Sequence, residues 1–108
     1  MNNSQFGFKY GDLETIIQVL SKFPEIERAV IFGSRAKGNY QTGSDVDIAI
    51  WTTDNNEAWQ VPAILNEETL LPYKFDLLDY NKINNQELKK HINRAGVEIY
   101  HAGAKARL

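Results

Sequence analysis

The chain has 108 residues, enough for one domain and little more. Hydrophobic residues make up 43% and charged residues 24%, which argues against a disordered or fibrous chain. A net charge of −2, no cysteine and no long apolar stretch argue against a binder of long nucleic acids, a disulfide or thiolate-metal framework, and a membrane span. Met1 to Gln5 has neither the basic nor the apolar part of a signal peptide, so a cytoplasmic protein is expected. A single domain over 1–108 is expected, with 1–10 and 101–108 as loosely held ends. Phe6, Phe8 and Tyr10 alternate ahead of the first helix, and the pattern leaves open whether they pack under it or feed an interface.

Asp12 can cap a helix from Leu13 to Phe23, where Leu13, Ile16, Ile17, Leu20 and Phe23 form one apolar stripe and Pro24 marks the exit. Arg28 to Phe32 reads as a buried strand, broken by Gly33-Ser34, with a short helix from Ser34 to about Gly38. Asn39 to Ser44 is polar and turn-forming, and Val46 to Trp51 is the second strand. A helix is expected between Trp59 and Thr69, with Pro62 in its first turn or dividing it. Tyr73 to Tyr80 is the third strand. Asn84 can cap a last helix, with Glu87 in the capping-box position and Gly96 as a left-handed residue at its end. Val97 to Tyr100 makes a fourth strand. Alternating helices and strands give an α/β (α+β) architecture, a small sheet flanked by helices.

The chemistry gathers at two places. Asp45 and Asp47 head the apolar run Val46-Asp47-Ile48-Ala49-Ile50, and residues two apart on a strand face the same way. Two carboxylates held so close repel each other and favour partial protonation unless a cation lies between them. Magnesium suits that role, since it takes oxygen ligands and shares its shell with phosphate. Ala49 continues the same face with little bulk and is expected to leave room above the acids. Upstream, Gly33 ends a strand and Ser34 opens a helix whose unpaired N–H groups can cradle phosphate. Arg35 and Lys37 can offer charge to the same anion, or serve as ordinary surface cations, and Ser44 can brace the turn before the acids.

Gly33-Ser34-Arg35-Ala36-Lys37-Gly38, followed at fixed distance by Ser44-Asp45-Val46-Asp47-Ile48, closely resembles the signature of the polymerase-beta-like nucleotidyltransferase superfamily. Within it the chain is most similar to the minimal nucleotidyltransferases. The resemblance continues through Tyr73 to Asp79, where that family carries its third acid. It implies the polymerase-beta-like fold with a small mixed sheet, and catalytic and metal-binding roles for Asp45, Asp47 and Asp76. Strand parity separates Asp76 from Asp79, which falls on the opposite face and reads as a strand-end residue.

The resemblance further implies two Mg²⁺ ions, ATP as substrate, and a nucleotide-binding set of Gly33, Ser34, Arg35, Lys37 and Ser44. It implies transfer of AMP to a hydroxyl, foremost a tyrosine of a small all-helical HEPN toxin, with the chain acting as antitoxin. Two alternatives stand beside it: an antitoxin that docks without catalysis, and nucleotidyl transfer to a small molecule. Trp51, Trp59 and Tyr73 would serve a docking surface, although large aromatics in a small domain are expected in or near the core. His91 and His101 have no partner at metal-ligand spacing and are expected at the surface. Oligomeric state is left open.

Overall fold

The apolar runs of the chain assemble into one four-stranded sheet with helices on both faces. A computed structural model describes residues 5–41, 43–53 and 58–102. The strands are β1 (Ile26–Phe32), β2 (Val46–Thr52), β3 (Phe75–Asp79) and β4 (Val97–His101), in the spatial order β3-β2-β1-β4. β1 runs antiparallel to β2 and β4, while β2 and β3 are parallel, so the sheet is mixed as expected. The helices are α1 (Asp12–Ser21), the single turn α2 (Ser34–Lys37), α3 (Val61–Ala63) and α4 (Gln86–Ala95).

Alternation along the strands gives each face its own core. One face joins Ile31, Ile48 and Ile50 to Ile16, Val19 and Leu20 of α1 and to Val61 and Leu65. The other packs Val30, Phe32 and Ala49 against Ile92 of α4. Ala49 is fully buried there, so the room expected above it is filled. On this face Trp51 stacks on Tyr80 with ring centroids 4.4 Å apart, and the Arg28 guanidinium covers the outer side of Trp51.

Several local expectations are corrected by longer-range contacts. Gly11, not Asp12, is the N-cap of α1; Asp12 enters the first turn and accepts hydrogen bonds from the Lys9 N–H and the Tyr73 hydroxyl. The segment ahead of α1 is not loose, because Phe6 and Phe8 are buried in the larger core. Pro62 does fall in a first turn, where its missing N–H costs nothing, and a wide π-turn over Ile64–Glu68 follows. Trp59, beside that segment, is 74% exposed rather than core.

The cap of α4 is Asn85, one residue later than expected, with its side chain accepting from the Leu88 N–H at 3.1 Å. Gly96 is not left-handed, since its φ is −73°. It is required for closeness instead: a Cβ there would lie 2.3 Å from Val30 Cγ1 and 2.5 Å from the Ile92 carbonyl. His101 belongs to β4, and the tail from 103 onward lies outside the described residues.

β3 is an edge strand, and a side chain meets part of its outer rim. The Asn66 amide accepts from the Phe75 N–H at 2.8 Å and donates to the Phe75 carbonyl at 3.2 Å. On the inner side, the Val46 N–H donates to the Lys74 carbonyl at 2.8 Å and starts the β2–β3 ladder.

Candidate active site

Register brings the acids together. Asp47 pairs with Phe32 across β1–β2 and with Asp76 across β2–β3, so Phe32, Asp47 and Asp76 form one row on the α4 face. Asp45 stands two residues ahead of Asp47, just before β2 begins. Asp45 and Asp76 are exposed and Asp47 is half-buried. The pKa of Asp47 lies above the ordinary value of 3.8, first because burial penalises its charge and then because Asp76 and Asp45 repel it. Both neighbours act on this carboxylate, which makes Asp47 the point where the charges of the row oppose one another.

The glycine turn closes on that point. Gly33 follows β1 at φ 79° and ψ −153°, a conformation that only glycine adopts readily. A Cβ there would also lie 2.5 Å from Asp47 Oδ2. The turn and the central acid therefore touch, and glycine is needed both for conformation and for room. Ser34 opens α2, whose first N–H groups have no partner within a single helical turn. Lys37, at the other end of that turn, is exposed.

Two residues expected to hold nucleotide are committed elsewhere. Arg35 is only 4% exposed and points away from the phosphate turn. Its Nε and Nη2 donate to the Ser44 carbonyl at 3.1 and 2.9 Å, and its Nη1 donates to the Phe6 carbonyl at 2.8 Å. Ser44 Oγ accepts from the Gln41 N–H at 2.8 Å, the turn-bracing role. Asp79 accepts from the Asn81 N–H and the Thr52 hydroxyl, both at 3.1 Å, on the opposite face from Asp76. His91, which spacing alone placed at the surface, packs its ring edge-on against Phe32 at the end of the acid row. No local pattern announced that contact, because it joins α4 to β1.

The donor set fits magnesium. Carboxylate oxygens are its preferred ligands, and Asp47 faces Asp76 across β2–β3 with Asp45 two residues ahead of it. Among the described residues no group of three acidic, histidine or cysteine side chains is drawn tightly enough to cage an ion unaided. Magnesium is held in that open manner where one or two carboxylates share it with water and substrate phosphates.

Comparison with known proteins bears on the family and the fold. The family profile "Polymerase beta, Nucleotidyltransferase" matches residues 14–104. Comparison with curated protein sequences gives no significant match. Among solved structures, the chain is similar to a toxin–antitoxin crystallised with AMP-PNP, at 23% identity and a TM-score of 0.71, over 83% of this chain and 73% of that one. It is also similar to a tri-AMPylated Shewanella oneidensis HEPN toxin in complex with MNT antitoxin, at 20% identity and a TM-score of 0.63, over 88% and 74%. A variant of the MntA–HpeT toxin–antitoxin matches at 26% identity with a TM-score of 0.66, over 82% and 71%. The fold, the acid row and the matched profile converge, and the chain belongs to the polymerase beta nucleotidyltransferase family.

Proposed function

We propose that the chain transfers AMP from ATP to a tyrosine hydroxyl of a HEPN toxin and thereby acts as its antitoxin. The observation that carries the reading is the facing pair Asp47 and Asp76, with Asp45 beside them and Gly33 in contact. Toxin–antitoxin structures of the same fold, one with AMP-PNP and one with an AMPylated toxin, support the choice of nucleotide and acceptor.

In this reading Asp45 and Asp47 would hold two magnesium ions, with Asp76 as a further ligand. Bound magnesium would supply charge neutralisation for the triphosphate and electron withdrawal at the α-phosphorus. The N–H groups after Gly33 and the Ser34 hydroxyl hold the β- and γ-phosphates. Asp76, exposed at the edge of the row, accepts the proton of the incoming hydroxyl. That oxygen forms its bond to the α-phosphorus, the bond to the bridging oxygen breaks, and pyrophosphate leaves. The acids stand on an open surface rather than in a deep cleft, which suits an acceptor presented by another protein.

The test mixes the chain with ATP, Mg²⁺ and the purified HEPN partner, and weighs the partner by mass spectrometry. Addition of AMP is expected, its loss with Asp76→Asn, and its persistence with Asp79→Asn. An unmodified partner that is still neutralised would reject catalysis in favour of docking.

A further inference from the structure

We infer that Arg35 is a positioning residue that fixes the acid-bearing end of β2 against the phosphate turn; the inference rests on the nucleotidyl-transfer reading above. Arg35 follows Ser34 in the chain, so its backbone belongs to the turn that would hold phosphate. Ser44, whose carbonyl it grips with Nε and Nη2, immediately precedes Asp45. The side chain thus ties together the two halves of the site across the polar loop between them. Nη1 anchors the same guanidinium to the Phe6 carbonyl of the N-terminal segment.

The surroundings suit a latch and not a ligand for a mobile anion. Among the described residues no carboxylate forms an ion pair with Arg35. Its charge is met by carbonyl dipoles and by the rings of Tyr73, Tyr40 and Phe8, at 5.0, 5.3 and 5.9 Å from the guanidinium carbon. Burying a cation is tolerated only when its donors are satisfied, and the planar fork matches a carbonyl held in one place. A lysine has the charge but not the fork. Among its described residues the loop is otherwise braced at short range, by Ser44 N–H to the Gln41 carbonyl and Gln41 N–H to Ser44 Oγ. In-line transfer tolerates little displacement, and an error of about 1 Å costs roughly 10²-fold in rate.

The experiment compares wild type, Arg35→Lys and Tyr40→Leu in AMP transfer, together with amide hydrogen exchange of the protein without nucleotide. Arg35→Lys is expected to lower kcat about 10²-fold while KM for ATP stays within about twofold. Exchange at Asp45 and Val46 should quicken by about tenfold or more, with Ile31 in β1 unchanged. Tyr40→Leu removes one ring and no hydrogen bond, so it keeps the fold and lowers kcat by about threefold at constant KM. A raised KM with kcat intact in either variant would make Arg35 a phosphate ligand and overturn the inference. Exchange that quickens equally across the sheet, with kcat per folded molecule intact, would reduce Arg35 to a general stabiliser and also overturn it. If wild type transfers no AMP, the functional reading fails, and the exchange pattern alone still decides whether the latch exists.

Discussion

The two faces of the sheet are built from the same strands and do different work. On the α1 face, Ile31, Ile48 and Ile50 are sealed beneath α1 and the α3 segment. On the α4 face, Val30, Ala49 and Ile92 close only part of the surface, and the next row holds Phe32, Asp47 and Asp76. A shift of one residue along β2 separates the buried Ile48 from the half-buried Asp47. Burial on one side gives rigidity to charges that are mutually repulsive on the other, and a site of like charges needs such a backing.

Substitutions can break this division in order of size. Asp47→Asn is expected to reduce AMP transfer by at least about 10²-fold, measured per folded molecule. The metal-free variant should melt at the same temperature as wild type or higher, because a repelled charge has been removed. Ile48→Ala should cost about 2–5 kcal/mol in urea unfolding. Ile92→Ala should fall toward the lower end of that range, since the smaller cluster can relax around it. Gly33→Ala should cost about 1–3 kcal/mol through its conformation, and should lose transfer as well, because its methyl group displaces Asp47 Oδ2.

The finest test is pH. The folded pKa of Asp47 is raised above 3.8, so the stability its neutral form contributes is fully present below that value. It is lost as pH rises through the raised folded value. Metal-free wild type should therefore lose stability relative to Asp47→Asn as pH climbs from about 3.8, and added Mg²⁺ should shrink the difference. Parallel melting curves at pH 4 and pH 7 would contradict the raised pKa, whose first cause is burial and whose second is repulsion.

Period and parity made the strands legible, and with them the acid row. Val46 to Trp51 and Tyr73 to Tyr80 were recognisable as runs, and alternation separated Asp76 from Asp79 while the family position favoured Asp76; the structure puts these two on opposite faces. What stayed hidden was set by distant partners. Arg35 reads locally as a cation beside a phosphate turn, yet its partners lie 9 and 29 residues away. Gly96 reads as a helix end, and its reason is Val30 of another strand. Asn84 and Asn85 offer the same capping oxygen, and spacing alone could not choose between them. The alternation of Phe6 and Phe8 was visible, but only the assembled core shows that it is buried.

Asn66 bears on the acid row from outside it. By occupying both polar groups of Phe75, it acts as a stop on the edge strand. A slip of β3 by a single residue would swing Asp76 to the sealed side of the sheet and leave Asp47 facing an apolar neighbour. An amide at the rim, bonded to the backbone of Phe75 and not to an acid, thus guards against a sliding error that would take the acid row apart.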